Sequence, residues 1–146
     1  MLHYDKPLRV ALLGYLSLKF KTFKPHYESI LYEACLEAKK LGINSVSVLE
    51  LGVAGGNGIL SLEKYKKKIE KVLDINITIS GFDTGSGLPE TGKDEDLPFF
   101  WRSNLYKIDK EALEKKINSK IFYGDVKNTV EDFAKINQNK ICCIFF

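Results

Sequence analysis

Glu50-Leu51-Gly52-Val53-Ala54-Gly55-Gly56-Asn57-Gly58 joins an apolar run to an amphipathic one. Before it, Ser45 to Leu51 is almost continuously apolar through Val46, Val48, Leu49 and Leu51. That is the pattern of a strand covered on both faces. After it, Leu60, Leu62, Tyr65, Ile69, Val72 and Leu73 recur at helical spacing. Glycine accepts positive φ and has no Cβ, so a ligand can approach the backbone of such a turn, where the first helical N–H groups are free. A tight turn without a ligand is the plainer reading. Ordering four glycines between positions 52 and 58 loses much conformational entropy, which favours a turn kept for binding.

The remainder repeats the alternation. Pro25 suits a helix start, Tyr27, Ile30, Leu31, Ala34, Ala38 and Leu41 form its stripe, and Gly42 closes it. Ile75, Ile77, Ile79 and Phe82 predict a second strand ending at Asp83. Residues 84–104 are loop, longer than structural connections usually are, which points to a role in function. Asp109 caps a helix carrying Leu113 and Ile117. Ile121-Phe122-Tyr123 predicts a third strand, ending in Gly124-Asp125. Thr129 to Ile136 predicts a helix with Val130, Phe133 and Ala134 inward, and Ile141 to Phe146 a fourth strand.

The expected fold is α/β: a Rossmann-like parallel sheet flanked by helices, of about four strands in the order 3-2-1-4, incomplete at the C-terminus. Residues 25–146 form this unit and residues 1–24 an N-terminal arm or cap. Ligands of such sheets bind beyond the carboxyl ends of the strands, where Glu50, Asp83 and Asp125 fall. Each acid alone reads as readily as a solvated loop residue; the three together favour a site.

The glycine spacing decides against two cofactors. G-x-G-x-x-G fails because Ala54 stands two after Gly52 and Ser61 five after Gly56. No Gly-Lys-Ser/Thr follows the turn, and the later Gly87 to Asp94 ends in Asp within a loop. Leu88-Pro89-Glu90-Thr91-Gly92 reads like a sorting signal but lacks the apolar segment and basic tail that one needs. An acid directly before the turn opposes a pyrophosphate and suits a cationic cofactor. S-adenosylmethionine has a sulfonium, an ammonium and no phosphate. Asp83 can accept from a ribose diol and Asp125 from an adenine amino group.

Ser47-Val48-Leu49-Glu50-Leu51-Gly52-Val53-Ala54-Gly55-Gly56-Asn57-Gly58, Gly81-Phe82-Asp83-Thr84-Gly85-Ser86-Gly87-Leu88-Pro89 and Gly124-Asp125-Val126 resemble a class I S-adenosylmethionine-dependent methyltransferase, and more narrowly the macrocin O-methyltransferase-like group, over roughly residues 25–146. The resemblance implies that Glu50, Gly52, Val53, Ala54, Gly55, Gly56 and Gly58 hold the methionine end of the cofactor. It implies that Asp83 with Thr84 binds the ribose, and Asp125 with Val126 the adenine. The implied reaction is methyl transfer to a small-molecule acceptor, such as the hydroxyl of a sugar or natural product. Two departures stand out. Ala54 replaces a glycine common in the superfamily. An acidic motif and further strands follow the fourth strand in the family, and in metal-dependent members that motif holds a divalent metal such as Mg; those ligands are absent here. No metal site and no catalytic base is expected; His3 and His26 are isolated, and Phe99, Phe100 and Trp101 read equally as covering the cofactor or touching substrate and as ordinary anchors of the long loop. The alternative is a truncated, non-catalytic fragment that keeps part of a cofactor cleft and self-associates through its exposed last strand. A nucleotide-sugar or NAD-dependent enzyme is a weaker reading.

Charge and cysteines bound the partners. With 22 basic and 19 acidic residues the net charge is only +3, and Lys66-Lys67-Lys68 reads as a solvated helix face, so no nucleic-acid partner is expected. Cys35, Cys142 and Cys143 match neither a disulfide framework nor a zinc spacing. The last two, adjacent in a strand, are expected on opposite faces. Leu8 to Leu18 is too short and interrupted to span a bilayer, and no signal peptide is evident. A cytoplasmic protein with no membrane partner is expected.

Overall fold

The computed structural model describes residues 24–89, 100–103 and 105–146. The helix α1 (Pro25–Lys40) precedes β1 (Ser45–Leu51), α2 (Asn57–Leu73) and β2 (Asn76–Asp83). The short α3 (Lys110–Glu114), β3 (Lys120–Tyr123), α4 (Val126–Ile136) and β4 (Lys140–Phe145) follow. All strand pairs are parallel and the order is β3-β2-β1-β4, a Rossmann-like sheet flanked by helices, as the alternation predicts. The expected arm over 1–24 falls, apart from Lys24, outside the described residues, as do His3, Phe99 and the Glu90 to Asp94 stretch.

Alternate residues of β1 part to two cores. Val46 and Val48 join Leu31, Cys35, Ile59 and Leu62 beneath α1 and α2, while Leu49 joins Phe82, Phe122 and Phe133 beneath α4. In the second core Phe82 and Phe122 stack at 5.2 Å, and Phe133 stands edge-on to them at 5.6 and 5.9 Å, arrangements that suit the ring quadrupoles.

Several expectations shift. α4 begins at Val126, three residues before Thr129, because the Asp125 side chain caps it by accepting from Lys127 N–H at 2.9 Å. Of the three residues expected inward, only Phe133 is buried; Val130 and Ala134 are exposed. Phe133 alone fills the space against Phe82 and Phe122, which leaves its helical neighbours turned outward. Ile30, Leu41 and Val72 also lie exposed, so the buried stripes of α1 and α2 are narrower than their apolar periodicity. Asp109 caps α3 as expected, accepting from Ala112 N–H at 3.0 Å, but the helix ends before Ile117, which is buried beyond it.

β4 departs most. Ile141 pairs with Ser47 but Cys143 pairs with Val48, so Cys142 is an inserted residue and the register shifts there. Cys142 and Cys143 then both pack against the α1–α2 core with their sulfurs 3.8 Å apart. The expectation that they face opposite sides is therefore wrong: strict alternation fails at a β-bulge.

Candidate functional site

The turn after β1 separates its glycines by task. No atom lies within 4 Å of where a Cβ would stand at Gly52, which has φ +84, or at Gly55, so the backbone is open at both. Gly56 and Gly58 are closed: a Cβ at the first would strike Leu113, and at the second the Glu50 carboxyl. Half of the glycine pattern thus serves packing. Ala54 has φ 45, a left-handed conformation that costs a residue with a Cβ roughly 1 kcal/mol. Its N–H donates to Asp83 Oδ2 at 2.9 Å, which holds it there.

Asp83, at the end of β2, also accepts from Gly85 N–H at 2.7 Å through Oδ1. Each carboxylate oxygen keeps a further lone pair. Gly52 N–H donates to the Phe82 carbonyl at 2.8 Å, and Gly124 N–H to the Asp83 carbonyl at 2.9 Å. The ends of β1, β2 and β3 are laced together at this level.

Beyond them opens a cleft of about 650 Å³, a size usual for small-molecule sites. Gly52, Ala54, Asp83, Thr84, Asp125 and Val126 line it. Leu88, Pro89, Tyr106 and Phe146 add apolar and aromatic wall. The sequence reading did not mark these four as binding residues. For Leu88 and Pro89 the signal was their place in a long loop after an acid-terminated strand. Tyr106 adopts φ 64, which nothing in its neighbours announces. Thr84 Oγ1 donates to the Gly87 carbonyl at 2.8 Å and shapes the loop. Asp125 reaches the cleft but spends one oxygen on the cap of α4.

The other expected residues lie elsewhere. Gly55 borders a smaller hollow of about 140 Å³ with Lys107, Asp109 and Lys116. Val53 is buried, and a Cβ at Gly81 would come within 2.6 Å of its Cγ2. Glu50 is not on the cleft wall: it points to the α1–α2 side, 2% exposed, beneath the start of α2. Tyr27 of α1 donates to its Oε1 at 2.9 Å, while Oε2 is buried without a hydrogen-bond partner. Burial pushes the Glu50 carboxyl up, against the hydrogen bond from Tyr27 and the charge of Lys24. Burial, with Glu50 beside it, pushes the Tyr27 hydroxyl up to about 12, so it remains a donor throughout the neutral range. Tyr27 is stacked on Phe145 at 4.3 Å, and His26 stands edge-on to it at 4.9 Å. The periodicity of α1 placed Tyr27 in the core but gave no sign of its bond to Glu50.

Among the described residues, no group of three or more His, Cys, Asp or Glu could hold a metal ion, and no helix is long and apolar enough to cross a membrane. No protein-family model matches the chain, and no curated protein matches it.

Proposed function

We propose that the chain binds S-adenosylmethionine as a methyltransferase that acts on a small-molecule hydroxyl, such as that of a sugar or natural product. The observation that carries the reading is the cleft beyond the ends of β1 and β2, where Asp83 keeps free lone pairs beside the open backbone of Gly52, with the Glu50 carboxyl buried beneath the start of α2. A helix start is ordinarily a site for phosphate. An acid set under it opposes a pyrophosphate, whereas a nearby cation would favour its ionised form. This supports S-adenosylmethionine over NAD and nucleotide sugars.

The donor set fits that cofactor. Asp83, fixed by Ala54 and Gly85, offers free lone pairs to a ribose diol. Leu88, Val126, Tyr106 and Phe146 offer apolar wall to a flat base beside Asp125. Gly52 and Gly55 leave backbone open for close approach. When bound, S-adenosylmethionine supplies an electrophilic methyl group on its sulfonium. The chain's part in an in-line displacement is positioning. No described cleft residue is assigned as a base: Asp83 is committed to the turn and Asp125 to α4.

Calorimetric titration tests the proposal. The wild-type chain is expected to bind S-adenosylmethionine and not NAD, and Asp83→Ala to weaken binding by about tenfold or more, the loss of a charge-assisted hydrogen bond. Equal affinity in wild type and variant would sink it.

A further inference from the structure

We propose that Tyr27 of α1 is a positioning residue for the cationic end of the cofactor, acting through Glu50: its hydroxyl fixes the buried carboxyl as a charge behind the glycine turn, so that the site prefers a positively charged adenosyl ligand to a neutral one. The inference rests on the cofactor reading above and deepens it. The cleft residues named there recognise the ribose and the base, which charged and neutral adenosyl compounds share.

Three groups stand in a chain. Lys24 Nζ donates to the Tyr27 hydroxyl at 3.4 Å and lies 4.5 Å from the centre of its ring. The hydroxyl donates in turn to Glu50 Oε1 at 2.9 Å. A hydroxyl that accepts from a cation is polarised toward the carboxylate, and hydrogen bonds in such chains strengthen one another. The start of α2 closes another side of the carboxyl. A Cβ at Gly58 would strike Oε1 and crowd Oε2 at 3.1 Å, so the glycine makes room for the acid. Tyr27 is itself held, buried and stacked on Phe145 of β4 at 4.3 Å.

Charge is what this arrangement can control. A buried charge is screened far less than an exposed one. Glu50 is not on the cleft wall, but Gly52, two residues on, lines it, so the field of the carboxyl and not contact carries the effect. A unit charge about 10 Å away, at an effective dielectric constant of about 20, changes the affinity for a cation on the order of tenfold. Burial opposes the ionised form, as does Asp83 on β2, whereas the bond from Tyr27 and the charge of Lys24 favour it. Gly58 of α2 brings no charge to the carboxyl, Phe145 of β4 brings none to Tyr27, and His26 packs edge-on to the Tyr27 ring. Removing the hydroxyl tips this balance toward the neutral acid, and the preference for a cation goes with it.

Calorimetric titration of the intact chain at neutral pH tests the role with two ligands. One is S-adenosylmethionine. The other is 5′-methylthioadenosine, which keeps the base, the ribose and an uncharged sulfur. Tyr27→Phe removes only the hydroxyl and leaves a ring to stack on Phe145. It is expected to bind S-adenosylmethionine about tenfold more weakly than wild type and methylthioadenosine equally well. Glu50→Gln should show the same selective loss. Adding Tyr27→Phe to it should cost nothing more, because residues that act as one unit are not additive. Glu50→Gln buries no charge, so this pair keeps the comparison available whatever the fold of Tyr27→Phe alone. An equal loss for both ligands, as from a merely loosened turn, overturns the role. So does no loss for either, a further tenfold loss in the double variant, or a wild type that binds methylthioadenosine as tightly as S-adenosylmethionine. A wild type that binds neither ligand overturns the cofactor reading itself, and the role with it.

Discussion

Glu50 sets local chemistry against stability. Its carboxyl is 2% exposed, and burial raises its pKa above the ordinary 4.5. A raised pKa means that the folded state holds the proton more tightly than the unfolded one. The stability this contributes is complete below the unfolded pKa and is lost as pH rises through the folded value. Glu50→Gln keeps an acceptor for Tyr27 and removes that loss. The variant is expected to melt higher than wild type at neutral pH and to lose the decline in stability above pH 4.5. Thermal melts over a pH series measure this; a variant that melts lower than wild type at neutral pH contradicts it. At this scale the sequence was half legible. The acids at strand ends were visible because strand ends are visible. Which of the four glycines faced open space was not, since that depends on Leu113 and Glu50 arriving from other parts of the chain.

Among the elements, β3 is the shortest strand, at Lys120–Tyr123, and is held at its start by a side chain from α2. Glu63 Oε1 accepts from Asn118 N–H at 2.6 Å and from Ser119 N–H and Oγ, each at 2.7 Å. Burial alone would raise the Glu63 carboxyl. The bonds from Ser119 and Asn118 outweigh it and lower the pKa. This contribution is therefore present above the ordinary 4.5 and is lost as pH falls through the lowered value. Glu63→Ala should cost about 1.5–3 kcal/mol, the range for hydrogen bonds to a charged group. Urea unfolding at neutral pH should show a lower midpoint than wild type, and the gap should narrow in acid. An unchanged midpoint would remove this clamp from the account. Element types and order followed from periodicity and turn residues. The start of α4 was misjudged because its Asp125 cap was read only as a candidate ligand, and a cap and a ligand use the same residue type.

For the whole molecule, the parallel order β3-β2-β1-β4 was legible because alternating strands and helices admit few arrangements. That order leaves β4 at one edge, with Ile141 47%, Ile144 44% and Phe146 91% exposed. An apolar edge strand is a template for pairing. The chain is expected to self-associate through β4, and Ile144→Lys, a charge placed on that edge, to shift it toward monomer. Static light scattering over a concentration series tests both, and a wild type that stays monomeric throughout refutes the expectation.

The bulge at Cys142 is also a change of parity. A strand sorts its residues into odd and even, one set for each face, and an extra residue exchanges the sets from that point onward. Before it, Ile141 shares the α4 side with Ser47; after it, Phe145 rather than Ile144 stands level with Glu50. A regular β4 would offer Tyr27 an isoleucine where it now has a ring to stack on. One inserted residue thus works as a local frameshift in space, and the aromatic support beneath the buried acid depends on reading β4 in its second frame.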